Sequence, residues 1–134
     1  MYLISYGTRP ELIKLFPLIN IFKENNIDHK TIFTGQHEDL IKEFENLTHR
    51  PDFVLEKTMK HKQSINSLIY KIINESQKII NSYDCKVIIQ GDAASSFAVA
   101  LSAFNEGKEV IHVEAGLRTH NLRSPFPEEG FRKM

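Results

Sequence analysis

The sequence predicts a single α/β domain built on a doubly wound parallel sheet. Short apolar runs alternate along the chain with longer segments in which apolar residues recur at helical spacing. The predicted strands are continuous apolar runs, which is typical of strands that are buried on both faces of a parallel sheet. At 134 residues, with 41% hydrophobic and 25% charged composition, the chain is long enough for one such domain with a buried core.

Five strands are predicted, over residues 2–6, 30–33, 52–55, 87–89 and 110–113. Helices are predicted between them over residues 11–23, 38–47, 63–83 and 93–105, and a last helix begins near Glu129. Gly107 is expected to stop the helix that precedes it, because glycine is favoured just past a helix end. The sequence reaches Met134 within the last predicted helix, so we expect residues 1–134 to be an incomplete domain.

Charge and composition exclude several classes of protein. Lys+Arg and Asp+Glu number 17 each, so the net charge provides no general attraction to nucleic acid or to an anionic membrane. The sequence contains no secretory leader pattern and no apolar run long enough to span a membrane. Cys85 is the only cysteine, which excludes an internal disulfide, and we expect it to fill the core. We therefore expect a soluble, cytoplasmic protein without nucleic-acid or membrane partners.

Polar residues follow the predicted strands at their carboxyl ends, where open parallel sheets bind ligands. After the first strand, Thr8 and Glu11 have the spacing of a capping box, and Pro10 suits a first helical turn. This loop is expected to present free N–H groups and Arg9 at the positive end of a helix, as an anion or sugar site requires. An ordinary capped helix with a surface arginine explains these residues about equally well.

Three carboxylates follow the later strands. Asp92 comes just after the fourth strand, Glu114 just after the fifth, and Glu128 after a loop stiffened by two prolines. We expect all three to converge near Arg9 at one edge of the sheet. Because clustered carboxylates repel one another, they are tolerated mainly where chemistry uses them. The alternatives are that Asp92 is a helix N-cap and that the clustering is a surface coincidence.

The remaining polar residues predict no further site. No histidine spacing fits a metal site, and no P-loop or dinucleotide-binding glycine pattern is present. The basic segment 57–62 is expected to be a solvated turn. His37, near the turn after the second strand, is taken alone more often a structural histidine than a catalytic one.

Five motifs lie in order at the predicted strand ends. They are Gly7-Thr8-Arg9-Pro10-Glu11 with Lys14 and Pro17, Thr34-Gly35-Gln36-His37, Gln90-Gly91-Asp92, His112-Val113-Glu114-Ala115-Gly116-Leu117-Arg118-Thr119, and Ser124-Pro125-Phe126-Pro127-Glu128-Glu129. Together they resemble the non-hydrolysing UDP-N-acetylglucosamine 2-epimerase family over the whole chain. Any one motif is weak, whereas the set is highly specific. The chain departs from the family pattern at Ala93-Ala94 and at Gly130-Phe131. These departures affect the local substrate contacts that the resemblance implies, so the resemblance does not fix the precise sugar.

The resemblance implies a Rossmann-like N-terminal domain, residues 1–134, that forms half of a two-domain fold of the glycosyltransferase-B type. The active site would lie between the halves, and the C-terminal UDP-binding domain would be missing from this chain. Such enzymes interconvert UDP-GlcNAc and UDP-ManNAc for surface polysaccharide synthesis, without NAD or a required metal. The resemblance thus implies a UDP-N-acetyl sugar as substrate, no cofactor, and a homodimer for the full-length protein.

The resemblance also implies roles for individual residues. The acid/base carboxylates would be Asp92, Glu114 and Glu128. The substrate contacts would be Arg9, Lys14, His112 and Arg118. Gln36 and His37 match a region that binds a second UDP-GlcNAc as activator in bacterial members, and no residue is assigned to a metal.

The family's route expels UDP first, through an oxocarbenium-like state, and then removes the C2 proton to give a glycal. Because the family places most UDP contacts and a further catalytic histidine in the second domain, we expect this chain alone to fold but to be essentially inactive. Two other readings stay open. One is a hydrolysing relative that releases free ManNAc, and the other is a non-catalytic sugar-nucleotide-binding module or a decayed epimerase fragment.

Overall fold

The computed structural model describes residues 1–35, 50–55 and 63–134 and has the α/β architecture that the sequence predicts. Its strands are β1 (Tyr2–Tyr6), β2 (His29–Phe33), β3 (Phe53–Val54), β4 (Lys86–Gln90) and β5 (Val110–Val113). Its described helices are α1 (Arg9–Glu24), α2 (Ile65–Asn81), α3 (Ala94–Asn105) and α4 (Glu128–Lys133). The predicted helix 38–47, the basic segment 57–62 and the expected activator residues Gln36 and His37 lie outside the described residues.

The five strands form one parallel sheet in the order β3-β2-β1-β4-β5. Strand β1 lies in the middle, where Tyr2 pairs with His29 of β2 on one side and with Lys86 of β4 on the other. The chain moves outward from β1 to β3 and then returns to place β4 on the opposite side of β1. This reversal confirms the doubly wound fold, and it opens a crevice at the carboxyl ends of β1 and β4, where ligands bind in such folds.

Helices cover the sheet on both faces because neighbouring residues of its central strands point to opposite sides. Leu3 and Val87 belong to a core cluster formed with α2 and α3, whereas Ile4 and Ile88 belong to a second cluster formed with α1. Cys85 is buried in the first of these clusters, as predicted, and burial raises the pKa of its thiol. None of the helices in the described ranges is long and apolar enough to cross a membrane.

The predicted signals at the helix ends are confirmed. Thr8 caps α1, Pro10 stands in the first turn, and Glu11 completes the capping box. Helix α3 ends before Gly107, which has a φ of 68°. This left-handed conformation favours glycine and turns the chain towards β5. The capped start of α1 and the start of α3 both face the crevice between β1 and β4.

Candidate active site

A cleft of about 300 Å³ lies at the carboxyl ends of β1, β4 and β5. Its walls come from the first turns of α1, from the turn between β4 and α3, from the loop that follows β5, and from α4. The polar side chains that line it are Thr8, Glu11, Lys14, Gln90, Asp92, Glu114 and Arg132. This is the edge of the sheet at which the sequence predicts a site.

Glu114 directly follows β5 and has a φ of 63°, a left-handed conformation that is uncommon for residues other than glycine. Its Oε2 atom accepts hydrogen bonds from Gln90 Nε2 and from Lys14 Nζ. The side chain is therefore held from β4 and from α1 at the same time. Both bonds fall on Oε2, so within the described residues Oε1 remains an acceptor without a hydrogen bond.

Asp92 lies in the turn after β4 and forms an ion pair with Arg132 of α4. Arg132 Nε donates to Asp92 Oδ2, and Arg132 Nη2 forms an ion pair with the same oxygen. The alternative that Asp92 is a helix N-cap is wrong, because α3 is capped by Ala93 and has no side-chain capping bond. The carboxylate instead faces the cleft, with Oδ1 free of hydrogen bonds in the part of the chain that the structure describes.

Glu129 and Arg132 were missed by the sequence analysis as site residues. Glu129 is 0% exposed and accepts hydrogen bonds from the backbone N–H groups of Thr119 at 3.0 Å and His120 at 3.1 Å. Arg132 adds a contact of 3.2 Å from Nη1. The Thr119 backbone bond is the largest of the effects that lower the pKa of Glu129 from its usual 4.5 to about 2, against the opposing effect of burial. The three-residue spacing of Glu129 and Arg132, which allows an ion pair on one helix, was the signal available in the sequence.

The start of α1 is more closed than the sequence predicts. Glu11 is buried, and its Oε2 atom accepts the N–H groups of Gly7 at 2.6 Å and Thr8 at 2.8 Å. Its Oε1 atom accepts the hydroxyl of Ser96 at 2.6 Å. The expectation that this loop presents free N–H groups is therefore wrong for Gly7 and Thr8. Arg9 is exposed and does not line the cleft.

Three further predicted residues lie outside the lining of the cleft. His112 contacts the Gly91 carbonyl oxygen through Nε2 at 2.5 Å and lines a second, mainly apolar cavity of about 610 Å³ beside α3 and α4. Arg118 is exposed and donates to backbone carbonyl groups of its own loop. Glu128 is half-buried in the first turn of α4, and its side chain makes no hydrogen bond or ion pair within the described residues.

The structure thus brings Asp92, Glu114 and Lys14 together in one cleft. Each of the two carboxylates has its own cation, Arg132 for Asp92 and Lys14 for Glu114, which offsets the repulsion between them. Paired carboxylates with free oxygens suit proton transfer and the stabilisation of positive charge. The roles assigned to these residues, and to Arg9, Glu128, His112 and Arg118, remain predictions.

The chain is similar in sequence to known proteins of one family. The sequence profile described as UDP-N-acetylglucosamine 2-epimerase matches residues 20–134. A UDP-N-acetylglucosamine 2-epimerase of Salmonella borreze is 41% identical over 135 residues, which cover 98% of this chain and 35% of that protein.

Two solved structures support the same relationship. The UDP-GlcNAc 2-epimerase of Neisseria meningitidis bound to UDP-GlcNAc matches with a TM-score of 0.89 and 36% identity, over 98% of this chain and 37% of that one. The UDP-GlcNAc 2-epimerase of Methanocaldococcus jannaschii in complex with UDP-GlcNAc and UDP matches with a TM-score of 0.88 and 36% identity, over 99% and 37%.

The chain spans about 35% of the length of the curated relatives that it matches. Within that span the family profile covers most of its residues, and the fold agrees with that of the solved relatives. The chain therefore belongs to the UDP-N-acetylglucosamine 2-epimerase family.

Proposed function

We propose that this chain supplies the acid/base carboxylates of an isomerase that interconverts UDP-GlcNAc and UDP-ManNAc. The observation that carries the proposal is the cleft in which Asp92 and Glu114 lie together, each with one carboxylate oxygen fastened by a cation and the other without a hydrogen bond in the described chain. Lys14 and Arg132 orient these carboxylates.

The chemistry of epimerisation at C2 explains why more than one carboxylate is needed. The C2 proton of the sugar is barely acidic, so the C1–O bond breaks first and its electron pair leaves with UDP. A carboxylate then stabilises the oxocarbenium-like sugar and accepts the C2 proton, and the C2–H electrons form the double bond of a glycal. Inversion requires a proton to return to C2 on the opposite face while a UDP oxygen re-forms the bond to C1, so acid/base groups must serve both faces. Asp92, Glu114 and Glu128 are the groups that we assign to these transfers.

The proposal includes a second domain. The chain would form the N-terminal half of a glycosyltransferase-B type enzyme, and the other half would hold most of the UDP. The relatives of known structure that are bound to UDP-GlcNAc support a UDP-N-acetyl sugar as the ligand. We further propose that the whole enzyme is a cytoplasmic homodimer that serves surface polysaccharide synthesis.

The test uses proton NMR of UDP-GlcNAc in D2O. One sample contains this chain alone, and another contains a hybrid protein in which the chain replaces the matching segment of the Salmonella borreze relative. We expect deuterium to enter C2 and UDP-ManNAc to form with the hybrid, and neither to occur with the chain alone. Glu114→Gln in the hybrid should abolish exchange, because a neutral amide cannot accept the proton.

Glu106→Gln is the matched control, because it removes a carboxylate of α3's C-terminal end, far from the cleft lining. The hybrid carrying it should exchange deuterium at the unmodified rate. A folded hybrid that binds UDP-GlcNAc but incorporates no deuterium would contradict the epimerase proposal. That result would favour a non-catalytic sugar-nucleotide-binding module.

A further inference from the structure

Glu129 is the second residue of α4 and directly follows the predicted catalytic Glu128, but its side chain is completely buried. A buried carboxylate is costly unless its oxygens accept hydrogen bonds. Here Oε1 accepts the His120 N–H, and Oε2 accepts the Thr119 N–H and Arg132 Nη1. Glu129 therefore joins α4 to the loop that follows β5, without lining the cleft itself.

The Arg132 side chain is 13% exposed, and its guanidinium contacts two carboxylates at once. Its Nη1 atom donates to Glu129, whereas its Nε atom donates to Asp92 and its Nη2 atom is ion-paired with the same carboxylate. A guanidinium is planar, and its donors form a fixed fork. Holding Nη1 on Glu129 therefore fixes the directions in which the other two donors point.

The backbone before Asp92 is held by different contacts. The Gly91 carbonyl accepts from His112 Nε2 at 2.5 Å, and the Gly91 N–H donates to the Val113 carbonyl at 3.1 Å. These contacts fix the turn but leave the Asp92 side chain free to rotate. Within the described ranges, Arg132 is the hydrogen-bond partner of that carboxylate, so Arg132 determines its orientation.

We propose that Glu129 is a positioning residue, which holds the Asp92 carboxylate through Arg132 in the orientation that proton transfer requires. The inference rests on the proposed function, because it takes Asp92 to act on the substrate. The low pKa of Glu129 keeps its carboxylate charged at neutral pH, so the link to Arg132 persists under assay conditions. Glu129 acts without touching the substrate.

The first experiment examines the link in the chain itself, by NMR of the Arg132 Nε–H group in ¹⁵N-labelled protein. The signal is assigned by its loss in Arg132→Lys. We expect Glu129→Ala to accelerate hydrogen exchange of this group by ~10- to 100-fold, because a guanidinium released from Glu129 no longer holds its Nε–H on Asp92, and a hydrogen bond to a charged partner is lost. Glu106→Gln should leave the exchange rate unchanged. Unchanged protection in Glu129→Ala would overturn the inference, whatever activity the hybrid has.

The second experiment measures kcat and KM in the hybrid protein. We expect Glu129→Ala to lower kcat by ~10- to 100-fold with little change in KM, because a misplaced catalytic group slows the chemical step. Glu129→Gln should retain more of the activity, since its amide oxygen can still accept from Arg132. In the Arg132→Met background, adding Glu129→Ala should lower kcat no further.

The outcomes separate the two proposals. Equal losses of kcat from Glu129→Ala in the presence and absence of Arg132 would show that Glu129 does not act through Arg132, and would overturn the inference. A different pair of results would overturn the proposed function instead. In that case Glu129→Ala loses the protection of Arg132 Nε–H against hydrogen exchange, but the unmodified hybrid binds UDP-GlcNAc and incorporates no deuterium. Thermal unfolding of each variant identifies any loss of activity that comes from unfolding.

Discussion

Gly7 lies at the turn from β1 into α1, where the backbone passes close to two buried side chains. A Cβ atom at this position would lie 2.0 Å from Thr34 Oγ1 and 3.0 Å from Ser95 Oγ. Thr34 is 0% exposed and its side chain is short, so it cannot move aside. We expect Gly7→Ala to lower the free energy of unfolding by about 1–3 kcal/mol, as overpacking does, in urea titrations.

Thr34→Ala provides the matched test of this contact, because it removes the Oγ1 atom. The double variant should lose less stability than the sum of the single variants, with a coupling of ~0.5–3 kcal/mol. Gly116→Ala is the control, since a Cβ atom there meets nothing within 4 Å. If the losses of unfolding free energy for Gly7→Ala and Thr34→Ala are additive, then the contact between a Cβ atom at position 7 and Thr34 Oγ1 does not cause the destabilisation.

The sequence predicts the two carboxylates of the cleft but not their partners. Asp92 and Glu114 are predictable because parallel strands bring their carboxyl ends to one edge. Arg132 lies 40 residues from Asp92, and Lys14 lies 100 residues from Glu114, so these pairs depend on how α4 and α1 pack. Glu129 was missed because two adjacent glutamates at a helix start look equivalent until burial distinguishes them.

Helix α1 starts with a network that extends beyond its capping box. Glu11 accepts two backbone N–H groups, and the single hydroxyl proton of Ser96 is shared between Glu11 Oε1 and the Gln90 carbonyl oxygen. The network therefore joins the starts of α1 and α3 to the end of β4. We expect Glu11→Ala to lower the free energy of unfolding by about 2–3 kcal/mol, because the cap is lost and buried donors are left unpaired.

Thermal unfolding checks this expectation, with a fall in Tm of roughly 10 °C for that loss in a chain of this size. Glu24→Ala removes an exposed glutamate from the other end of the same helix and should change stability by less than ~0.5 kcal/mol. If Glu11→Ala melts at the same temperature as Glu24→Ala, then Glu11 does not fasten these elements together.

Where the structure describes them, the predicted elements are confirmed with small shifts at their ends that have physical causes. Helix α1 begins at Arg9, earlier than predicted, because Thr8 caps it and Pro10 fits the first turn. Helix α2 begins after Ser64, whose side chain accepts the Ser67 N–H. Strand β3 is shorter than predicted, since the Asp52 side chain bonds to Thr31. The periodicity of apolar residues carries no information about these side-chain hydrogen bonds, so it does not predict the exact ends of the elements.

For the molecule as a whole, apolar patterning predicts a parallel sheet covered on both faces, but it does not predict the order of the strands in that sheet. The order β3-β2-β1-β4-β5 depends on contacts between residues that are distant in sequence. That order places β1 at the centre with β4 beside it, and the side chains of both strands alternate between the two core clusters. The two faces therefore share the same strands.

This sharing predicts that both faces unfold in one cooperative transition. Ile19 is buried in the core cluster formed with α1, and Ile72 is buried in the core cluster formed with α2 and α3. We expect Ile19→Val and Ile72→Val each to cost ~0.5–1.5 kcal/mol in urea unfolding, and their costs to add within about 0.5 kcal/mol because the sites are on opposite faces. Ile13→Val, at an exposed position of α1, should cost almost nothing. Two separate transitions, each shifted by only one of the core variants, would show that the sheet does not couple its faces.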